Sequence, residues 1–110
     1  MPIYIATSNA NKVREIQAIL NVPVEQVEID LSEIQAIHVE EVIELKAREA
    51  YLRFGRPVLV EDTGLSIHAW NGLPGALVRW FLKTVGPAGI CQMLESFPDR
   101  SATAKTCLGL

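Results

Sequence analysis

The segment VLVEDTGL, residues 58–65, decides the fold of this chain. Its apolar run Val58-Leu59-Val60 predicts a buried strand, and Leu65–Trp70 predicts that a strand resumes further on. The polar residues between them can form an ordinary turn, because Asp and Gly are common turn residues. A buried strand normally avoids charge at its end, however, unless the charge has a partner or binds a metal. The segment therefore marks either a polar turn or a functional site at a strand end.

Apolar periodicity on both sides of this segment predicts strands that alternate with helices. The further predicted strands are Ile3–Ala6, Val24–Ile29 and Thr103–Leu110. The predicted helices are Asn11–Leu20, His38–Phe54, a short helix around Leu77–Phe81, and one around Ile90–Phe97. Such alternation is typical of an α/β layered fold. A length of 110 residues favours a single domain, residues 1–110.

The charge balance argues against nucleic acid as a partner. Lys and Arg number 10 against 13 Asp and Glu, a net charge of −3. This disfavours a general nucleic-acid-binding protein, and an anionic ligand would need local positive charge. The cysteines (Cys91, Cys107) and histidines (His38, His68) lack close zinc-ligand spacing. Without an apolar leader or a long apolar run, the chain is expected in the cytoplasm, away from membranes.

The turn after the first strand carries the amide-rich segment TSNANK, residues 7–12. A strand-to-helix turn exposes backbone N–H groups and the positive end of the helix dipole, which together favour an anion. Lys12 adds one cation on the first helical turn, where a positive charge opposes the dipole. Two interpretations remain open: an Asn-capped helix with a surface lysine, or a cradle for an anionic ligand.

The helix His38–Phe54 begins with acids. Glu40, Glu41 and Glu44 lie in its first turns, where negative charge favours the dipole. They can form a solvated face, or one of them can join Asp62 around a divalent ion. Mg²⁺ takes one or two carboxylates together with phosphate oxygens and water, so this second interpretation suits a polyphosphate ligand.

In their order along the chain, these segments resemble motifs of the inosine triphosphate pyrophosphatase family. The family's opening motif, Thr/Ser-x-Asn-x-x-Lys-x-x-Glu, is similar to TSNANKVRE, residues 7–15. Its acidic helix and central carboxylate motif are similar to VEEVIELKA and PVLVEDTGL. The following segment, in its archaeal and eukaryotic form, is similar to NGLPGALVRWFLKTVGPAGICQMLESFPDRSA. The resemblance covers the whole chain and implies a mixed central sheet with flanking helices.

The resemblance also implies an activity and a set of site residues. The activity is Mg²⁺-dependent hydrolysis of the non-standard purine nucleoside triphosphates ITP, dITP and XTP to the monophosphate and pyrophosphate. Asp62 would be the catalytic residue that orients or deprotonates the attacking water. Asp62 and Glu41 would bind the metal, with Glu40 as the alternative to Glu41. The implied substrate-binding residues are Thr7, Ser8, Asn9, Asn11, Lys12 and Thr63.

Family members continue beyond the matched segments. Their C-terminal portion, which the resemblance implies is the part that reads the purine base, has no counterpart in residues 101–110. We therefore expect a C-terminally truncated domain. A catalytically impaired remnant that binds nucleotide phosphates or a partner subunit is the alternative function. The resemblance further implies a homodimer.

Overall fold

The computed structural model describes residues 2–110 and confirms an α/β fold. Its strands are β1 (Ile3–Ala6), β2 (Val24–Val27), β3 (Val60–Ile67), β4 (Pro74–Gly75) and β5 (Ala102–Gly109). Its α-helices are α1 (Ala10–Leu20), α2 (Val39–Phe54), α3 (Val78–Thr84) and α4 (Gly86–Met93), with a 3₁₀ helix at His68–Trp70. One sheet has the order β1-β2 and the other β4-β3-β5.

The chain forms two compact units, which are described separately below. The first unit comprises residues up to Ile34, Ile43–Glu61 and Leu108–Leu110, and the second comprises Gln35–Val42 and Asp62–Cys107. Helix α2 and strands β3 and β5 therefore contribute residues to both units. That the whole chain is a single domain remains a prediction.

The first unit is built on parallel strands. Strands β1 and β2 pair in parallel, with Ile3 opposite Val24. Leu59 forms a parallel bridge to Ile5, and its backbone N–H donates to the Tyr4 carbonyl at 2.7 Å. The core of this unit consists of the buried residues Ala6, Ala50, Val58 and Val60. The strands predicted on either side of α1 and α2 are thus confirmed, although β2 ends at Val27 and not at Ile29, and β3 begins at Val60 and not at Val58.

The second unit is built on antiparallel pairing around β3. Leu65 of β3 lies opposite Gly75 of β4 in an antiparallel register. On its other side β3 neighbours β5, where the His68 backbone N–H donates to the Ser101 carbonyl at 3.1 Å. The core of this unit is the buried cluster Ile67, Ile90 and Leu94.

The turn interpretation of residues 61–64 is wrong, because β3 runs without interruption from Val60 to Ile67. The predicted strand Leu65–Trp70 is correspondingly too long at its far end, where His68–Trp70 forms the 3₁₀ helix. The pairing of β3 with its neighbours supplies hydrogen bonds that local turn propensity cannot match. Glu61 and Asp62 consequently lie within a strand and not in a loop after it.

Gly64 permits this strand to pack closely. A Cβ atom at position 64 would lie 2.8 Å from Val39 Cγ1 and 3.0 Å from the Gly75 carbonyl carbon. The first distance is shorter than real Cβ contacts, and the second is tighter than nine in ten of them and involves main chain that cannot rotate away. Glycine at position 64 therefore allows β3 to contact both β4 and the first residue of α2 without displacement of either.

None of the helices in residues 2–110 is both long enough and apolar enough to cross a lipid bilayer. The longest, α2, has 16 residues, whereas about 20 apolar residues are needed to span the hydrocarbon core.

We expect Gly64→Ala to lower the free energy of unfolding by about 1–3 kcal/mol, since overpacking forces neighbouring groups apart. Chemical denaturation monitored by circular dichroism measures this change. Gly109→Ala is the matched control, because its Cβ would meet side-chain atoms of Ile43, Ala47 and Val60 at 3.1–3.3 Å. Those flexible groups can yield by a few tenths of an ångström. Equal losses in the two variants would contradict the required contact at Gly64.

Candidate functional site

The turn before α1 has the geometry of a capped helix. Asn9 is the N-cap residue, and its Oδ1 accepts the Asn11 backbone N–H at 3.0 Å. The Thr7 hydroxyl accepts the Asn9 backbone N–H at 3.1 Å, which fixes the turn one step earlier. Ser8 is exposed beside them. The capped-helix interpretation is thus correct for the backbone, and the same geometry leaves the positive end of α1 facing outward, as an anion requires.

Lys12 and Glu61 meet in the first unit. Lys12 Nζ lies 3.9 Å from Glu61 Oε2 and 4.0 Å from Glu15 Oε2. Both distances are at the long limit for an ion pair, so the ammonium group is held loosely and can turn to a more negative ligand. The parallel bridge between Ile5 and Leu59 explains the meeting, because it brings the carboxyl end of β1 beside the start of β3.

Lys46 is a second cation that contacts Glu61, and the sequence analysis did not identify it as a site residue. Its Nζ donates to the Glu61 backbone carbonyl oxygen at 2.8 Å in a partly buried contact. A signal for it was present in the sequence, since Lys46 is three residues from Ile43 and four from Ala50, on the apolar side of α2. A charged residue at such a position needs a polar partner.

The acids at the start of α2 belong to the second unit and differ in their contacts. Glu40 Oε1 forms an ion pair with Lys105 Nζ of β5. The hydrogen bond from Lys105, followed by a backbone hydrogen bond and the positive charge itself, lowers the pKa of the Glu40 carboxyl below its ordinary value. Glu41 is exposed in the first turn of α2. Lys105, another residue that sequence reasoning missed, therefore distinguishes the two acids.

Asp62 and Thr63 lie on opposite faces of β3, because successive residues of a strand alternate. Asp62 shares its face with Gly64, and that is the face against which Val39 of α2 packs. Asp62 is half-buried, and its Oδ2 atom is shielded from solvent. The Thr63 hydroxyl lies 3.0 Å from the Thr106 hydroxyl of β5. Asp62 therefore points to the side of β3 on which α2 begins, and Thr63 points away from it.

The predicted site residues divide between the two units. Those of the opening turn belong to the first unit, together with Glu61 and Lys46: Thr7, Ser8, Asn9, Asn11 and Lys12. Glu41, Asp62 and Thr63 belong to the second unit. Within the first unit the structure brings Lys12 to Glu61, and within the second it directs Asp62 towards the start of α2.

Residues 2–110 contain no group of three or more Asp, Glu, His or Cys residues placed to hold a metal ion. A complete protein cage for a metal is thus not formed by this part of the chain. Mg²⁺ at a nucleotide site needs only one or two carboxylates, because phosphate oxygens and water complete its shell. The exposed Glu41 and the half-buried Asp62 fit that smaller demand, whereas Glu40 is already paired with Lys105.

Comparison with known proteins identifies the family of this arrangement. The Ham1 family profile matches residues 3–110. The inosine triphosphate pyrophosphatase 2 of Trypanosoma cruzi is 46% identical over 108 residues, which cover 96% of this chain and 55% of that protein. The inosine triphosphate pyrophosphatase of Fusarium vanettenii is 47% identical over 105 residues, covering 94% and 56%. The chain thus spans little more than half the length of these curated relatives.

Solved structures show the same fold. A HAM1 protein from Coxiella burnetii superposes with a TM-score of 0.77 at 26% identity, covering 98% of this chain and 61% of that one. The Ham1 protein of Staphylococcus aureus superposes with a TM-score of 0.73 at 22% identity, covering 99% and 71%. Both agree with the α/β architecture described above.

We expect Lys105→Met to raise the pKa of Glu40 towards its ordinary value, and Lys105→Arg to keep it low. The lowered pKa means that the ion pair is fully formed above the ordinary carboxyl pKa and is lost as the pH falls through the lowered value. An NMR titration of the Glu40 side-chain carboxyl carbon measures both variants. An unchanged pKa in Lys105→Met would show that Lys105 is not the cause of the shift.

Proposed function

Because the chain belongs to the Ham1 family, we propose that it hydrolyses the purine nucleoside triphosphates ITP, dITP and XTP. The products are the nucleoside monophosphate and pyrophosphate, and the reaction removes non-standard nucleotides from the pool. The observation that carries this proposal is the identity of 44–47% to three inosine triphosphate pyrophosphatases over nearly the whole chain. Their greater length makes the activity of these 110 residues a matter for experiment.

The opening turn is proposed to bind the triphosphate. The dipole of α1 attracts negative charge to its first turn, where the Asn11 and Lys12 backbone N–H groups already donate to Asn9. Asn9 uses its Oδ1 atom to cap α1, which leaves its side-chain NH₂ as the donor for a phosphate oxygen. Lys12 then supplies the positive charge, exchanging its loose contact with Glu61 for the stronger charge-assisted bond to phosphate.

Lys46 has a supporting part in this proposal. Its bond to the Glu61 carbonyl oxygen keeps a second positive charge beside the residue that Lys12 contacts. Glu61 is contacted by both cations, because its carboxylate forms the long contact with Lys12 and its carbonyl oxygen accepts the bond from Lys46. A phosphate group close to this pair of lysines gains attraction from both, which partly offsets its several negative charges.

Mg²⁺ is the proposed cofactor, held by Glu41 and Asp62. When bound, it neutralises charge on the phosphates and lowers the pKa of a coordinated water. Glu41 is proposed as the metal ligand in preference to Glu40, because the carboxylate of Glu40 is engaged by Lys105. Asp62 is proposed as the second ligand because it lies on the face of β3 that meets the first residue of α2.

Asp62 is proposed to position the attacking water and to accept its proton. A carboxylate within hydrogen-bond reach of the water is suited to this task. One of the Asp62 oxygens is shielded from solvent, whereas the residue as a whole remains half-exposed. Thr63 lies on the opposite face of β3, and we propose that its hydroxyl binds substrate. A hydrogen bond with the Thr106 hydroxyl already orients it.

The decisive experiment measures pyrophosphate release from ITP by the 110-residue chain, with Mg²⁺ and with EDTA. Release that requires Mg²⁺, and that is slower with ATP, supports the proposal. Binding of ITP in a calorimeter without release overturns it in favour of the nucleotide-binding remnant. Comparable rates with ITP and ATP would overturn the proposed preference for non-standard purines.

We expect Asp62→Asn to lower kcat for ITP by about 100-fold or more, the usual contribution of a positioned general base. Asn preserves the shape of the side chain, so circular dichroism and the unfolding midpoint should remain close to those of the unsubstituted chain. Turnover at the original rate by this variant would refute the catalytic assignment.

We expect Lys12→Ala to weaken binding of the triphosphate by about 10- to 100-fold, the loss of one charge-assisted hydrogen bond. Isothermal titration calorimetry with ITP measures the affinity. Lys83→Ala is the matched control, because Lys83 lies on α3 over the Trp80 ring, outside the opening turn. An equal loss in the two variants would mean that net charge, and not the cradle, governs binding.

We also propose a homodimer, which the family resemblance implies, and a location in the cytoplasm. Light scattering of the purified chain at micromolar concentration tests the first, and fractionation of cells that express the chain tests the second.

A further inference from the structure

Gln26 of β2 ties the opening turn to the neighbouring strand within the first unit. Its Nε2 atom donates a hydrogen bond to the Thr7 backbone carbonyl oxygen at 2.7 Å. Strands β1 and β2 pair in register as far as Ala6 opposite Val27, and Gln26 itself lies opposite Ile5. Thr7 is the next residue after that last pair. The Gln26 side chain therefore continues the connection between the two strands beyond the backbone ladder.

The surroundings of Gln26 indicate that this hydrogen bond is the contribution of its side chain. Gln26 is exposed, so the side chain fills no space in the core of the unit. The residue types that strands favour are β-branched and aromatic, and glutamine is neither. Packing and strand propensity thus give no reason for an amide at position 26, whereas the bond to Thr7 does.

The bond fixes the orientation of one peptide plane. The C=O of Thr7 and the N–H of Ser8 belong to the same planar group, and in a trans peptide they point in opposite directions. Because Gln26 holds the carbonyl oxygen towards β2, the Ser8 N–H points away from β2. A flip of this peptide would break the bond to Gln26 and reverse the N–H. Gln26 thus determines the direction of a backbone donor in the opening turn.

The two capping bonds of the turn leave this peptide plane unfixed. The Thr7 hydroxyl accepts the Asn9 N–H, and Asn9 Oδ1 accepts the Asn11 N–H. Both bonds join residues of the turn to one another, and neither uses the Thr7 carbonyl or the Ser8 N–H. Gln26 adds a bond from a neighbouring strand to the peptide group that lies between β1 and the cap.

We propose that Gln26 is a positioning residue for triphosphate binding, because it holds the Ser8 N–H in the direction of a phosphate oxygen. This inference rests on the proposed function of the opening turn. Hydrogen bonds from backbone N–H groups to a charged phosphate are stronger than those between neutral groups. A turn that already has its bound conformation also binds more tightly, since it loses less conformational freedom on binding.

The experiment replaces Gln26 with methionine, which keeps an unbranched side chain of similar length but has no amide to donate. Gln17→Met is the matched control, because the Gln17 amide also bonds to main chain, its Oε1 atom accepting the Val24 N–H at 2.7 Å. Gln17 lies near the C-terminal end of α1, away from the opening turn. Isothermal titration calorimetry with inorganic triphosphate measures affinity, and NMR follows the Ser8 amide proton.

Gln26→Met should weaken binding of inorganic triphosphate by about 3- to 10-fold, the range expected for one hydrogen bond. Gln17→Met should keep the affinity of the unsubstituted chain. On saturation with triphosphate, the Ser8 amide proton should shift downfield in the unsubstituted chain and less in Gln26→Met. A bond that served stability alone would not produce that difference. With ITP as substrate, Gln26→Met should raise KM and leave kcat unchanged.

The possible failures are distinguishable. Equal triphosphate affinities of Gln26→Met and the unsubstituted chain would overturn the inference and leave the proposed function intact. Equal losses in Gln26→Met and Gln17→Met would also overturn it, because general loosening of α1 against β2 would then be the cause. Absence of triphosphate binding by the unsubstituted chain would refute the phosphate cradle itself, and this inference with it.

Discussion

The close approach of Gly64 to Val39 and to the Gly75 main chain is the contact on which the second unit depends. It allows β3 to continue through residues 61–64 as a strand, with β4 on one side and the first residue of α2 packed on one face. The alternation of side chains then fixes that Asp62 points to the α2 side and Thr63 to the other. Glu40 and Glu41 follow Val39 directly, so this contact also sets where the acids of α2 begin.

Local patterns predicted much of this fold because local physics dominates in those segments. Apolar periodicity predicted the helix at residues 11–20, and α1 ends there because Asn21 adopts the left-handed conformation. The turn interpretation of residues 61–64 is wrong because the preference of Asp and Gly for turns is weaker than pairing with two neighbouring strands. That pairing involves residues far apart in the chain, which a local pattern does not contain.

The candidate site shows the same division between local and distant information. The cap at Asn9 is local and was visible as one of two interpretations of the opening turn. The contacts of Lys46 with Glu61 and of Lys105 with Glu40 join distant segments, and no spacing in the sequence points to either pair. The two interpretations of the turn also prove to be compatible. The backbone geometry that caps α1 is the geometry that presents a helix N-terminus to an anion.

The bond from Lys46 ends on the main-chain carbonyl of Glu61 and not on its carboxylate. A carbonyl oxygen is present whatever residue occupies position 61, and it does not titrate. The anchoring of Lys46 is therefore indifferent to the side chain beside it, whereas the contact of Lys12 vanishes with the carboxylate. Evolution can thus vary the residue at position 61 and adjust the freedom of one cation while the other stays where it is.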